Sequence, residues 1–279
     1  MKTFEDKVAA ITGAGSGIGR GLALELGRQK CHLALSDINE ATLQQTVTEA
    51  RELGVRVTSQ RVDVADREAV YAWADQVVSD HGKVNLICNN AGVALGSTVE
   101  KIRYEDFEWL MNINFWGVVY GTKAFLPHLK ATGDGHIVNI SSVFGLAGIP
   151  SQSAYNSAKF AVRGFTESLR QELDMLGYGV SASSVHPGGI KTSIVRSSRM
   201  DDSIWDLGIG REGEDARGKF EKSFITSADK AAKTIIDGVR RNQRRILVGP
   251  DARVYDWMVR LLPTAYQRVA VRYARFAAK

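Results

Sequence analysis

The stretch VAAITGAGSGIG, residues 8–19, joins a short apolar run to four glycines within seven positions. Residues 18–28 continue from it with the apolar spacing of a helix. Glycines between a first strand and a helix allow a sharp turn, a close approach of the backbone to a pyrophosphate, and tight packing of the helix. A simple tight turn is the alternative interpretation, but the position at the first strand favours a dinucleotide site.

The alternation of apolar runs and helix-like segments continues along the whole chain. Predicted strands occupy residues 8–11, 32–36, 55–62, 84–88, 136–140, 180–185 and 245–248. Predicted helices occupy residues 18–28, 40–53, 67–80, 104–132, 153–176 and 228–241, with Pro127 marking a kink or break in the fourth. This alternation predicts an α/β fold with a doubly wound parallel sheet (Rossmann fold), about seven strands with helices on both faces, in a single domain.

Composition restricts the class of protein. With 279 residues, 44% hydrophobic and 24% charged, the chain is typical of a globular domain and unlike a disordered segment. Cys31 and Cys88 both lie in apolar runs, so we expect buried thiols in a cytoplasmic protein. No run approaches the ~18 apolar residues of a membrane span. The charged residues 5–7, just before the first apolar run, argue against a signal peptide.

The net charge of +5 is unevenly distributed. Residues 240–279 contain ten Lys/Arg and two Asp, so this end carries +8 and the rest of the chain carries −3. The positive charge is therefore confined to one end of the chain and does not indicate a nucleic-acid-binding surface, so we expect no nucleic-acid partner. Residues 251–279 form an amphipathic, basic C-terminal extension. It either packs on a partner subunit, which is the favoured interpretation, or makes a peripheral contact with an anionic membrane.

Asp37 follows the second predicted strand, twenty residues after Gly17. A carboxylate there can accept hydrogen bonds from both ribose hydroxyls of an adenosine, and it would repel a 2′-phosphate. Neither position 16 nor position 38 holds a Lys or Arg that could attract such a phosphate. Asp37 therefore favours NAD over NADP. The alternative is that Asp37 caps the next helix.

Several further motifs, taken together with the glycine turn, give the chain a resemblance to a known family. They are TGAGSGIG at 12–19, Asp63-Val64, NNAG at 89–92, Asn114, Ser142, Tyr155-x-x-x-Lys159, Pro187-Gly188 and Thr192. In this combination, over residues 6–249, the chain resembles the short-chain dehydrogenase/reductase family in its shorter single-domain subtype. The resemblance implies an oxidoreductase that uses a nicotinamide cofactor.

The resemblance assigns a catalytic set of Ser142, Tyr155, Lys159 and Asn114. Tyr155 would act as the general acid/base, and Lys159, four residues later on the same helix face, would lower the pKa of Tyr155 and hold the nicotinamide ribose. Ser142 would hold the substrate oxygen, although the adjacent Ser141 is an alternative. Asn114 would keep an ordered water that links Lys159 to solvent, or it is simply a polar residue on a helix flank.

The cofactor site is predicted where open α/β sheets bind ligands, after the carboxyl ends of strands. Its predicted residues are Gly13, Ser16, Gly17, Ile18, Gly19, Asp37, Asp63, Val64, Asn90, Ala91, Gly92, Tyr155, Lys159, Pro187, Gly188, Ile190 and Thr192. Asp63 would accept from the adenine amine, whereas Asn90 is expected to brace its strand. Ile190 and Thr192 would hold the carboxamide. His186 is not expected to be catalytic, and the sequence shows no metal-ligand spacing.

Substrate contacts are predicted at Ser142, Phe144, Tyr155 and Trp205, in mostly apolar surroundings that favour a lipophilic small-molecule alcohol or ketone. Residues 1–250 form the predicted catalytic domain, with a substrate loop at about 191–224. Three loop residues could meet an anionic group, but solvated loop charges are the favoured interpretation: Arg196, Arg199 and Arg211.

The predicted function is an NAD-dependent alcohol/ketone oxidoreductase, and we expect a homodimer or homotetramer. Two other functions stay open: an NADP-dependent carbonyl reductase, and a catalytically idle nucleotide-binding scaffold protein.

Overall fold

A computed structural model describes residues 1–194, 196–208 and 224–277. The strands are β1 (Val8–Thr12), β2 (His32–Asp37), β3 (Val57–Arg61), β4 (Leu86–Asn89), β5 (Leu95–Gly96), β6 (Gly135–Ile140), β7 (Val180–Pro187), β8 (Ile190–Lys191), β9 (Arg199–Met200), β10 (Thr226–Ser227) and β11 (Arg245–Val248). The helices are α1 (Gly17–Arg28), α2 (Glu40–Arg51), α3 (Arg67–His81), α4 (Tyr104–Met111), α5 (Gly117–Thr132), α6 (Ser153–Leu176), α7 (Ala228–Arg240), α8 (Pro250–Leu261) and α9 (Tyr266–Ala277).

Seven parallel strands form the central sheet, in the order β11-β7-β6-β4-β1-β2-β3. The chain moves outward from β1 to β2 and β3 on one side and then crosses to β4 on the other. Beyond the carboxyl ends of β1 and β4 this reversal leaves a crevice, the usual ligand position in such a sheet. The predicted doubly wound sheet is confirmed.

The two faces of the sheet are covered by different helices because successive strand side chains point to opposite sides. Ala9 and Ile11 belong to the core layer under α1 and α7, where helix residues such as Leu22 and Ile235 are fully buried. Val8 and Ala10 belong to the opposite layer, which contains Trp73, Phe125 and Leu129. The Trp73 and Phe125 rings meet edge to face with 5.1 Å between their centroids. Both layers hold the strand ends in fixed positions below the crevice.

The predicted helix 104–132 is interrupted by a π-helical turn, Asn112–Trp116, between α4 and α5. Of the kink or break predicted at Pro127, the break is wrong, since α5 continues through it to Thr132 and ends at Gly133, which has a φ of +63°. A proline removes one N–H donor, and the carbonyl that loses its partner is that of Lys123, a residue on the exposed side of α5. Solvent can satisfy that carbonyl, so the helix continues.

The C-terminal extension folds back onto the catalytic domain as α8 and α9. Asp256, on the inner side of α8, pairs with Arg245 of β11 at 3.0 Å and with Arg260 at 2.9 Å. Tyr266 at the start of α9 is buried, and its hydroxyl oxygen accepts a hydrogen bond from the Gly148 amide at 3.1 Å. None of the helices described here is both long and apolar enough to cross a membrane.

Candidate active site

The glycine turn between β1 and α1 lies at the floor of the crevice. Gly13 and Gly17 have φ of +65° and +52°, a conformation that favours glycine. A Cβ on Gly13 would lie 2.8 Å from the Cα of Ala91, and a Cβ on Gly19 would meet the Gly13 carbonyl. The glycines therefore allow the backbone to turn here and α1 to pack closely, with the free N–H groups of the first turn of α1 available to phosphates.

The ends of β1 and β4 are joined by side-chain hydrogen bonds. The Thr12 hydroxyl oxygen accepts from the amides of Asn90 and Ala91, each at 3.0 Å. The Asn90 side-chain amide donates to the carbonyls of Thr12 at 2.8 Å and Gly13 at 3.1 Å. Asn90 thus binds the strands together, which is the bracing arrangement expected from the sequence.

Asp37 points back onto the glycine turn from the end of β2. Its Oδ2 accepts from the Gly15 amide and its Oδ1 from the Asn39 amide, each at 2.9 Å. The capping alternative for Asp37 is wrong, because Asn39 caps α2 by accepting from the Thr42 amide at 3.2 Å. Each Asp37 oxygen keeps lone pairs for further donors. A ribose diol is a ligand that such a carboxylate can hold.

A cleft of about 530 Å³ occupies the crevice. Most predicted site residues line it: Gly13, Ser16, Gly17, Ile18, Asp37, Asp63, Val64, Asn90, Ala91, Gly92, Ser142, Phe144, Tyr155, Lys159, Pro187, Gly188, Ile190 and Thr192. Gly19, Asn114 and Trp205 do not. Gly19 acts in helix packing, as described above, and Asn114 lies behind the wall.

Tyr155 and Lys159 lie one turn apart on α6, next to Ser142 at the end of β6. The Lys159 ammonium lies 5.5 Å from the centre of the Tyr155 ring and donates to the Ile140 carbonyl at 3.0 Å. Burial lowers the pKa of Lys159 to about 8. Burial also raises the pKa of Tyr155 to about 12, although a hydrogen bond with Ser142 opposes the rise. A buried tyrosine of this kind needs positive charge nearby before it can act as a base near neutral pH.

The two candidate serines have different roles in the structure. The Ser141 hydroxyl is directed at the helix backbone, where it donates to the Lys159 carbonyl at 2.8 Å. The Ser142 Oγ accepts from the Phe144 amide at 3.1 Å, and its own hydroxyl is directed at Tyr155, with which it makes the hydrogen bond described above. This geometry favours Ser142 as the residue that holds a substrate oxygen.

Asn114 lies in the π-helical turn and is fully buried. Its Oδ1 accepts from the Val93 amide and its Nδ2 donates to the Val93 carbonyl, each at 2.8 Å. A Cβ on Gly92 would lie 3.2 Å from Asn114 Oδ1 and 3.7 Å from Lys159 Nζ, so these groups meet around Gly92. π-helical turns are common at functional sites. The water relay through Asn114 stays a prediction.

His186 lies behind the Ser142 turn rather than in the cleft wall. Its Nδ1 is 2.9 Å from the Ser142 carbonyl, and its Nε2 is 3.0 Å from the Ser184 hydroxyl. Burial lowers the pKa of His186 to about 4, so the ring is neutral at pH 7 and Nδ1 is assigned as the donor to the carbonyl. The ring ties β7 to the backbone of Ser142.

Among the wall residues that the sequence reasoning missed are Asp251 and Tyr255 on α8. Asp251 Oδ2 accepts from the Gly189 amide at 2.6 Å, while its Oδ1 is buried without a partner among the described residues. Tyr255 packs edge to face on Phe144 at 6.4 Å between centroids. One sequence signal could have found them. Because Pro250 follows β11 so closely, the first turns of α8 must lie at the carboxyl edge of the sheet.

The substrate loop is described only in part, and Ile209 and Arg211 lie outside the described residues. Trp205 lies on a short helix, Asp202–Leu207, and is not among the described residues that line the cleft, so its contact with the substrate stays a prediction. The Thr98 amide donates to the Ser203 hydroxyl at 3.1 Å and holds it there. Arg199 pairs with Asp106 at 2.7 Å, so it is engaged within the protein.

A nicotinamide dinucleotide fits the residues present. The glycine turn, which a Cβ would fill, leaves room for phosphates, Asp37 offers acceptors for a ribose, and the buried Asp251 Oδ1 lacks a donor. Within residues 1–194, 196–208 and 224–277, no group of three or more His, Cys, Asp or Glu side chains is placed to hold a metal ion.

Comparison with known proteins agrees with this geometry. The family model for short chain dehydrogenases matches residues 7–203. The oxidoreductase SadH of Mycobacterium tuberculosis is 50% identical over 278 residues, which cover 99% of this chain and 98% of SadH. Cyclohexanol dehydrogenase from Acinetobacter is 34% identical over 241 residues, covering 84% of this chain and 95% of that protein. A short chain dehydrogenase/reductase from Burkholderia phymatum, solved in complex with NAD, has a TM-score of 0.82 and 31% identity, covering 94% of this chain and 96% of the other.

Proposed function

Since this chain belongs to the short chain dehydrogenase family and is an oxidoreductase acting on CH–OH groups, we propose that it interconverts a lipophilic secondary alcohol and the corresponding ketone, with NAD as its cofactor. A primary alcohol and the corresponding aldehyde are the other substrate pair on which the same chemistry would act. The observation that carries the proposal is the meeting of Ser142, Tyr155 and Lys159 in the cleft that the glycine turn and Asp37 also line.

In the oxidation direction, Ser142 donates a hydrogen bond to the alcohol oxygen and Tyr155 removes the hydroxyl proton. The Lys159 ammonium favours the phenolate of Tyr155, because an opposite charge at this range lowers a tyrosine pKa. A nicotinamide dinucleotide held by the glycine turn, Asp37 and Lys159 would supply the hydride chemistry in both directions. In reduction Tyr155 returns the proton to the oxygen, while Ser142 stabilises the charge that develops there.

Asp37 supports NAD over NADP. Its carboxylate is held on the glycine turn by the Gly15 amide at 2.9 Å, and the exposed residue beside it, Ile38, brings no positive charge. A 2′-phosphate would be placed against an anion without a compensating cation from this segment. The NAD in the Burkholderia structure supports the same choice.

The wall near Tyr155 supports a lipophilic substrate. Phe144 packs edge to face on Tyr155 at 6.2 Å and on Tyr255 at 6.4 Å between ring centroids. Val93 and Ile194 also line the cleft. Apolar and aromatic walls favour apolar ligands with few polar groups. Cyclohexanol dehydrogenase, a relative, is named for an alcohol of this kind.

A turnover screen tests the proposal. Purified protein is incubated with NAD and either cyclic secondary alcohols or polyols, and NADH formation is followed. We expect turnover of the cyclic alcohols, a loss of ~10²–10⁴-fold in Tyr155→Phe, and tighter binding of NADH than of NADPH. Turnover of polyols alone would contradict the substrate class, and tighter NADPH binding would contradict the cofactor. A wild type without turnover that still binds NADH would favour the scaffold alternative.

The proposal also covers the cellular compartment and the oligomeric state of the enzyme. Cys31 and Cys88 are buried free thiols, and burial raises the pKa of the Cys31 thiol to about 12. Unreactive thiols of this kind support a cytoplasmic enzyme. A homodimer or homotetramer remains part of the proposal and is tested by analytical ultracentrifugation.

A further inference from the structure

Helix α8 presents two different faces. Asp251 and Tyr255 look inward to the cleft, and Asp256 is held against β11. The outer face, defined here as Arg253, Val254, Trp257, Arg260 and Leu261, lies on the opposite side, since these residues recur at intervals of three and four. All five are exposed, with Val254 at 66%, Trp257 at 64% and Leu261 at 70%.

Exposed large apolar side chains concentrated on one face indicate an interaction surface. The pattern continues beyond α8, because Leu262, Val269 and Val271 are also exposed. These side chains remain exposed although α8 and α9 are both fixed to the catalytic domain, so intramolecular packing does not account for them.

The outer face is positively charged. Arg253 and Arg260 flank Trp257, while the two acidic residues of the extension face inward: Asp251 binds the Gly189 amide and Asp256 is buried between Arg245 and Arg260. Arg268 and Arg272 on α9 are also exposed and add to the positive charge of the extension. An anionic partner is therefore complementary to this face.

A second copy of the chain fits this face poorly. A two-fold contact brings the same patch of each subunit together, so the arginine-flanked face would meet an identical cationic face. The outer face itself carries no carboxylate. Asp256, which pairs with Arg260 at 2.9 Å, is buried on the inner side of α8 and does not reach a second copy. The charge of the outer face therefore favours an anionic membrane over the partner subunit that the sequence favoured.

We propose that the outer face of α8 binds the surface of an anionic phospholipid bilayer. Trp257, Val254 and Leu261 enter the region between headgroups and acyl chains, and Arg253 and Arg260 remain with the lipid phosphates. The inner face of the same helix lines the cleft, so docking holds the substrate end of the cleft close to the membrane. A lipophilic substrate dissolved in the bilayer is then close to Tyr255 and Tyr155.

Co-sedimentation of the full-length protein with vesicles tests the proposal without any substrate. Wild type is expected to pellet with vesicles containing phosphatidylglycerol and to remain in solution with pure phosphatidylcholine, and added salt should release it. Arg253→Gln/Arg260→Gln should lower the partition coefficient about 30-fold, at about fivefold per arginine. Trp257→Ser/Leu261→Ser should lower it by about tenfold or more.

A matched charge control is Arg51→Gln/Arg56→Gln. These exposed arginines lie beside β3, at the sheet edge opposite β11, and their loss should leave vesicle binding nearly unchanged. Thermal melting confirms that each variant is folded. The proposal is overturned if wild type does not pellet with anionic vesicles or if the outer-face variants bind like wild type. A smaller sedimentation coefficient for Trp257→Ser/Leu261→Ser without vesicles overturns it too, since a second copy would then cover the face.

Discussion

Replacing Lys159 by methionine removes the positive charge that we expect to make Tyr155 usable as a base. The Lys159 ammonium is 5.5 Å from the centre of the Tyr155 ring. With that distance as the charge separation and an effective dielectric constant of about 20, the ammonium–phenolate attraction is about 3 kcal/mol. This energy corresponds to about two pKa units. Lys159 shifts the Tyr155 pKa downward, because a nearby cation favours the phenolate.

The assay is the pH dependence of kcat/KM for alcohol oxidation at saturating NAD. In wild type, the rate should rise with pH as Tyr155 ionises. In Lys159→Met the rising limb should move upward by about two pH units, since no ammonium then opposes the burial that raises the Tyr155 pKa. At pH 7 the variant should then be about 100-fold slower, with part of the loss recovered at high pH.

Lys159→Arg is the matched control, since it keeps the positive charge and should keep the limb near its wild-type position. Saturating NAD separates this effect from weaker binding of the cofactor ribose. The reasoning is refuted if Lys159→Met is slower by the same factor at every pH, because Lys159 would then act by positioning alone.

Three further substitutions test other parts of the structure. Gly19→Ala places a Cβ against the Gly13 carbonyl, so the free energy of unfolding, measured by urea titration, should fall by ~1–3 kcal/mol. Its control is Gly164→Ala on α6, where the space around the glycine is open and the free energy of unfolding should rise by ~0.5–1 kcal/mol. Asp37→Ser should reduce the preference for NADH over NADPH by about 10- to 100-fold in fluorescence titration, because the carboxylate opposes the 2′-phosphate; an unchanged ratio would refute this role. Asp251→Ala removes the acceptor of the Gly189 amide, and NADH should bind about tenfold more weakly. Asp206→Ala, at an exposed position of the short helix Asp202–Leu207, should leave NADH binding unchanged.

The strand and helix pattern could be predicted because each element carries its own periodicity and each turn its own glycines. Val8–Thr12, the glycine turn and Gly17–Arg28 were all visible within one stretch. The helix from Tyr104 to Thr132 was correct in its limits but not in its interior. The π-helical turn there places Asn114 against Val93, and such a contact between distant segments leaves no local signature.

The sequence by itself determined the fold class, the position of the glycine turn, and the pairing of Tyr155 with Lys159, because each depends on neighbours within one element or one turn. The tertiary structure alone decided which groups share the cleft: it brought Asp251 to Gly189, 62 residues away, and placed Tyr255 on Phe144. It also decided the pKa values, since burial of Tyr155 and Lys159 depends on the whole packed sheet. Local pattern encodes periodicity, whereas burial and distant contacts arise only when the elements pack together.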